Sequence, residues 1–483
     1  MEYFSLFTNP TYTQGEAQAP LHLTIITDLE KFQAENGEFR ANQLKATNKQ
    51  TGFVDNTYTL TVYVDTEGKD LTVKQIQGAI TTGVLKAQAA KIDKIDITTD
   101  VELTPLQLGV AYYSVCQVNY KFEVKKIEEN RTTFLKNVNF VGVAQEHFET
   151  ADFKFYKALS DGKIVARDFG NGRVNFMNTI TIAQHIEDFV KLHPEVEIKK
   201  LVGEEVKNEG LLLHYSVGMG SRFPPTFINL KYTGNPDSDE YHALVGKGVI
   251  FDTGGTNVKR SLLGKMYMDK GGASSVFGAF HGVVSAGLKV NLTASIPLAE
   301  NALDGNSYRT SDIIKSYNGK TVEIINTDAE GRLLLADALA WTQKHYKIAT
   351  IIDLATLTGS AMRSLGHYYA AILTDHDELK DQLIAAGAKI DENLWQLPLL
   401  QSVKDGLKSG PADVKNLFSA SGYAGCIDGG CFLSNFIEEG VKWSHLDICG
   451  AFLNFKGRFG IYSTGATGFG VGVLMEYFRN LSA

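Results

Sequence analysis

Short apolar runs alternate along this chain with segments whose apolar positions recur every three or four residues, the pattern of strands interleaved with helices. In the first third, Leu21 to Thr27 and Thr57 to Val64 read as strands, Val73 to Ala90 as a helix, and Ala111 to Val124 as a strand-rich segment. A charged stretch of helical pattern, Val143 to Phe169, reads as a connector. The pattern therefore predicts one α/β domain over residues 1–165 and another over 166–483. The second half opens with an amphipathic helix, Ile180 to Leu192. Strands follow at Gly210 to Val217, Thr226 to Tyr232, Ala243 to Asp252 and Ala349 to Leu354; another ends at Pro297 to Asn301, and a small-residue helix starts at Gly271. The predicted fold class is α/β, a smaller N-terminal domain and a larger C-terminal one built on a central mixed sheet flanked by helices.

The polar residues that interrupt this pattern collect where strands end. Asn326-Thr327-Asp328-Ala329-Glu330-Gly331-Arg332 joins an apolar run, Val322 to Ile325, read as a buried strand, to a helix patterned by Leu333, Leu334 and Ala338. Asp328 and Glu330, two apart in extended chain, face the same side. Close carboxylates stay ionised together only beside positive charge, which points to a metal ion or to Arg332. An Asp N-cap with a Glu in the first helical turn is the purely structural alternative.

Lys247 stands inside the apolar strand that ends at Asp252. A buried lysine must lose its proton, pair with an acid or ligate a metal. Lys259 comes next, and then Asp269 just ahead of Gly271-Gly272. Chemistry in an open α/β sheet gathers at the carboxyl ends of strands. Lys247, Asp252, Asp269, Asp328 and Glu330 are thus expected around one centre, with Lys259 and Arg332 at its rim. Four acids with no histidine favour Mn, Mg or Zn, and invite two ions rather than one.

Two rival readings share that centre. A two-metal phosphoesterase also uses a carboxylate cage, but such sites often include histidine, and of the 11 histidines only His445, beside Asp447, falls in a motif, where it reads as structural. A catalytically silent binding or assembly protein predicts an eroded site, and every position named above is intact.

Composition narrows the partners. At 483 residues the chain expects two or three domains of about 150 residues each. Its 47 Lys and Arg against 55 Asp and Glu, a net −8, speak against nucleic acid or an anionic membrane as partner. No apolar span of about 20 residues is seen. Met1-Glu2-Tyr3-Phe4-Ser5 lacks the features of a signal peptide, so a cytoplasmic location is expected. Cys116, Cys426, Cys431 and Cys449 form no CxxC pair and are expected as buried free thiols.

These motifs resemble those of the leucyl aminopeptidase family of di-metal exopeptidases, family M17. The resemblance is carried by Asn326 to Leu333, Val245 to Gly248, Phe251 to Gly255, Ala299 to Asn301 with Asn318 to Glu323, Asp353 to Gly359 and Trp443 to Ile448. It covers most of residues 165–480, and the N-terminal part only in size and α/β character. It implies release of N-terminal residues from peptides with a free N-terminus by a two-metal-activated water, in a homo-hexamer. On these residues it implies that Asp252 and Glu330 bridge two divalent ions, that Asp328 completes the more exchangeable site, and that Lys247, as a neutral amine, and Asp269 complete the tighter one. Lys259 would polarise the scissile carbonyl, and Arg332 would hold a bicarbonate ion that relays a proton.

The resemblance also implies a pocket for the substrate's first side chain at Met266, Thr356, Leu357, Gly359, Cys449 and Phe452. These apolar or small residues suit Leu or Met. Relatives often carry Ala and Met at the last two positions, so Cys449 and Phe452 are expected to shrink the pocket. Other departures are Lys270 directly after Asp269, Arg260 where proline is common, one residue fewer between Lys259 and Asp269, and a proline-free Gly170 to Asn175.

Overall fold

The computed structural model of the chain describes residues 10–15, 19, 21–36, 49–54, 57–66, 69–124, 132, 134–418 and 424–482. The opening Met1 to Ser5 stretch lies outside them. The chain divides into two compact units, one of Tyr3–Ile164 with Lys456–Thr464, the other of Val165–Phe455 with Gly465–Ala483.

The unit of Tyr3–Ile164 is built on a six-stranded sheet in the order Thr11–Gly15, Asn137–Val141, Lys94–Thr99, Leu21–Ile26, Thr57–Tyr63 and Lys49–Val54. All neighbours pair in parallel except the last two. The strand-rich reading of Ala111 to Val124 is corrected here: Pro105–Asn119 is a helix. Thr104 caps it, accepting from the Gln107 N–H at 3.2 Å while the Gln107 side chain accepts from Thr104 N–H at 2.9 Å, and Pro105 opens the first turn. Every residue from Leu108 to Asn119 is buried, so no polar face marks the helical period, and Tyr112, Tyr113, Val115 and Val118 imitate a strand.

The unit of Val165–Phe455 is built on a nine-stranded mixed sheet, as the pattern predicted. The order is Asn393–Gln396, Tyr369–Leu373, Lys442–Asp447, Ile348–Ala355, Tyr241–Gly246, Asn291–Asn301, Thr226–Thr233 and Val196–Val202, with Gly248–Asp252 beside the end of Asn291–Asn301. The inner four strands run parallel, and antiparallel strands flank them on both sides. Their carboxyl ends, near Asp447, Ala355, Gly246 and Asn301, therefore share one edge. Gly210 to Val217, expected as a strand, is instead the helix Leu212–Gly218; so short a buried apolar run has no period that separates the two states. Val322 to Ile325 contributes only Thr321–Glu323, a strand of a separate three-stranded sheet, so the Asp328–Glu330 turn does not extend a strand of the main sheet.

The expected single strand from Ala243 to Asp252 is two strands broken at Lys247. The break is tied on both sides: Lys247 N–H donates to Leu354 O at 3.0 Å, and Lys247 O accepts from Ala273 N–H at 2.8 Å. The second bond requires the helix Gly271–Ser285 to lie on sheet backbone, which only small residues permit. A Cβ on Gly272 would stand 2.0 Å from Leu354 O. Across the sheet, the helix Gly331–His345 is buried from Gly331 through Gln343 and packs Leu333, Leu334 and Trp341 into the same core as Val245 and Val249. All four cysteines are free and buried. Among the described residues no helix is long and apolar enough to cross a membrane.

Gly272→Ala is expected to destabilise the protein by about 1–3 kcal/mol, because the added methyl meets backbone that cannot rotate away. Urea unfolding measures this, and an unchanged midpoint would contradict the close contact.

Candidate functional site

Four chain segments bring acids and lysines to the shared edge of the sheet. The strand break presents Lys247, and its side chain runs past Gly331, where a Cβ would stand 2.2 Å from Lys247 Cε. Gly248–Asp252 ends in Asp252, the 3-10 turn Leu263–Met268 delivers Asp269, and the turn before Gly331–His345 supplies Asp328 and Glu330. Glu330 occupies the N-cap position of that helix but makes no side-chain capping bond, which removes the structural alternative for this acid.

Lys247 Nζ lies 2.8 Å from Asp269 Oδ1 and 3.0 Å from Glu330 Oε1, and donates to Thr356 O at 3.1 Å. Thr356 Oγ1 donates to the same Asp269 oxygen at 3.0 Å. Lys259 Nζ sits between Asp252 Oδ2 at 2.7 Å and Asp328 Oδ1 at 2.5 Å. Asp252 Oδ1 accepts from Gly254 N–H and from the Asn301 amide, both at 2.8 Å. Lys259 thus enters the cage that it was expected only to border, and Asp328, one-third exposed, stands at its mouth.

Four carboxylates face two ammonium groups here, and burial raises the cost of every charge. Burial, reinforced by Glu330, pushes the Asp252 carboxyl well above its ordinary range. Burial also pushes Asp269 up to about 7 against the pull of Lys247. Glu330 is held low because Lys247 and Lys259 outweigh burial, and burial of Lys247 is likewise outweighed by Asp269 and Glu330, which hold its ammonium above the usual lysine range. The cage is short of positive charge. Asp252, Asp269 and Glu330 each offer an oxygen within 4.8 Å of the others, and Asp269 Oδ2 is buried without a hydrogen-bond partner. An oxygen-rich donor set with an amine, an excess of negative charge and an unpartnered carboxylate oxygen fit a divalent cation.

Arg332, in the first turn of its helix, is buried rather than at a rim. Nη1 donates to Asn416 O at 2.8 Å and lies 3.4 Å from Asp428 Oδ2, while Nε is buried without a partner. That free donor near a helix N-terminus fits a small anion. Lys270, whose charge could have opposed a metal, donates instead to the carbonyls of Gly172, at 2.9 Å, and Tyr267. Burial, with Arg173 nearby, pushes its ammonium down to about 7.

The cage opens into a cavity of about 240 Å³. Met266, Thr356, Leu357, Gly359 and Cys449 line it, together with Met362 and Leu453, which sequence reasoning did not place there. Burial, with Asp447 close by, raises the Cys449 thiol, so it is a small neutral wall. Phe452 is not brought to the cavity. It is fully buried, with its ring filling the space that side chains at Gly170 and Gly271 would occupy. The expectation that Phe452 narrows the pocket directly is therefore corrected: the two glycines make room for the ring behind the wall.

Asp447 is a further residue to which the sequence reading gave no role. Fully buried at the end of its strand, it accepts from Leu357 N–H and Cys449 N–H, both at 3.2 Å, and from Thr358 Oγ1 at 2.7 Å. It thereby fixes the Thr356 to Thr358 turn that touches Lys247 and Asp269. A cue was available, since a buried strand ending in Asp before a helical turn signals a carboxylate accepting backbone N–H groups. His445, next to it, is structural as expected: Nδ1 meets Asp353 Oδ1 at 2.6 Å, and Trp443 Nε1 donates to the other Asp353 oxygen at 2.7 Å.

This architecture is that of the leucine aminopeptidases. A tomato leucine aminopeptidase mutant structure superposes with a TM-score of 0.85 at 24% identity, covering 99% of this chain and 98% of that one. The bottromycin maturation enzyme BotP in complex with Mn gives 0.83 at 26% identity, covering 96% of this chain and all of that one (100%). The family described as the cytosol aminopeptidase family, catalytic domain, matches residues 164–475. A probable cytosol aminopeptidase of Brucella anthropi is 37% identical over 415 residues, 84% of this chain and 81% of its own length; one of Protochlamydia amoebophila is 35% identical over 364 residues, 75% and 72% of the two chains. The chain belongs to the cytosol aminopeptidase family, a family of peptide hydrolases.

Asp447→Ala is expected to lower stability by about 1–3 kcal/mol, since it leaves the buried Cys449 N–H and the half-buried Leu357 N–H unpaired. Chemical unfolding tests this, and a midpoint equal to the parent's would show that the turn does not depend on Asp447.

Proposed function

We propose that the protein is a two-metal aminopeptidase that releases N-terminal, preferentially apolar residues from peptides. The observation that carries this reading is the charge-deficient cage of Asp252, Asp269, Asp328 and Glu330 opening into a cavity lined in part by Met266, Leu357, Met362 and Leu453. Lys247, Asp252, Asp269, Asp328 and Glu330 would hold the two ions. Zn, Mn or Mg suits the donors, and the Mn in the BotP complex supports a divalent ion at this fold. When bound, the ions supply a Lewis acid for the scissile carbonyl and a water of lowered pKa.

The chain's own residues would do the rest. Asp269, held by Thr356 Oγ1, and Lys247, held by Thr356 O, keep one site fixed in place. Lys247 would serve as a free amine, because a cation in the cage competes with its proton for the lone pair. Lys259, lining the cavity, would donate to the oxygen on which charge develops. Arg332, through its unpartnered Nε, would hold bicarbonate for proton relay. Met266, Leu357, Met362 and Leu453 would receive a Leu or Met side chain and exclude charged ones, whose burial without a partner is costly. Family membership supports two further parts of the reading, a homo-hexamer and a cytoplasmic location.

A strong chelator is expected to abolish hydrolysis of leucyl anilide and Mn or Zn to restore it. In the same assay Lys259→Ala should keep its metal yet turn over about 100- to 1,000-fold more slowly. Activity that survives verified metal removal, or a Lys259→Ala variant at parental turnover, would refute the respective roles.

A further inference from the structure

The cavity is also lined by charged side chains that do not belong to the cage. Among the described residues the acids that line it are the four of the cage, where Lys247 and Lys259 are already paired with them. Arg260 and Lys265 line the same cavity, are exposed, and meet no carboxylate among the described residues. Lys265 Nζ lies 5.1 Å over the ring of Phe455, another lining residue, which keeps the ammonium on the cavity side. A cavity that carries, beside the acids of the cage, two cations with no carboxylate partner among the described residues fits a ligand that bears an anion as well as an amine.

We propose that Arg260 and Lys265 bind the C-terminal carboxylate of a dipeptide substrate, making dipeptides with a free C-terminus the preferred substrates. The proposal rests on the aminopeptidase reading, which sets the substrate's amine at the cage. Reach then decides which carboxylate is met. A dipeptide spans about 7 Å from amine to carboxylate, and Arg260 directly follows Lys259, whose ammonium lies between Asp252 and Asp328 of the cage. Longer peptides carry a neutral peptide group at that distance and forgo the contact. Exposed ion pairs are worth about two- to fivefold each, more where guanidinium meets carboxylate in two parallel bonds, so the pair should contribute about tenfold.

The test compares kcat/KM for Leu-Gly and Leu-Gly amide, and for Leu-Asp amide and Leu-Asn amide, in the parent and in an Arg260→Ala/Lys265→Ala variant. Taking the ratio within each protein cancels any general loss of activity. The parent should favour Leu-Gly over its amide about tenfold, chiefly through KM, with the gap narrowing as salt rises. In the double variant the ratio should fall to near one, and Arg260→Gln or Lys265→Gln alone should give intermediate ratios. A parental ratio near one, or the same ratio in parent and double variant, would overturn the proposal. Preference confined to Leu-Asp amide over Leu-Asn amide would overturn it in favour of a side-chain carboxylate. Failure to cleave leucyl anilide at all would overturn the aminopeptidase reading itself, and this proposal with it.

Discussion

The structure turns on the charge balance around Lys247. An ammonium group buried to 2% exposure is tolerable only because Asp269 and Glu330 stand within 3.0 Å of it, and those acids are tolerable together only because it is there. Much of the surrounding architecture secures this arrangement. The sheet strand breaks at Lys247, Gly331 leaves room for its stem, and Gly272 lets a helix lie close enough to hold its backbone. Two lysines still do not balance four carboxylates. In the proposed reading the remaining negative charge links fold to function, because divalent cations would balance it.

Around that centre the division of labour is spatial. Strand ends fix Asp252, Asn301 and Asp447, whereas turns carry Asp269, Asp328 and Glu330. Two buried carboxylates outside the cage, Asp447 and Asp353, are tied to backbone or ring N–H groups and stiffen the scaffold. The cavity wall is softer. Methionines and leucines share it with Thr356, Cys449, Arg260 and Lys265.

Much of this was legible in the sequence, for physical reasons. A lysine inside an apolar strand and acids flanked by glycines are expensive placements, and such residues mark chemistry wherever they occur. The alternation of periods announced the α/β class. What stayed hidden was whatever depends on burial from all sides. Pro105–Asn119 has no polar face, and Leu212–Gly218 is too short to show a period. The Asp328–Glu330 turn looked like the end of a core strand because Val322 to Ile325 is apolar, yet its short strand belongs to a minor sheet. Phe452 was misplaced because its position relative to the pocket depends on Gly170 and Gly271, distant in sequence and adjacent in space.

The central claim is that the cage exists to hold two divalent ions, and the most direct measurement is their number. Equilibrium dialysis against Mn or Zn, with metal counted by elemental analysis, should give two ions per chain for the parent protein. Asp269→Asn should lose the tighter of the two. Fewer than two ions in the parent, or an Asp269→Asn variant that binds both as tightly, would contradict the account.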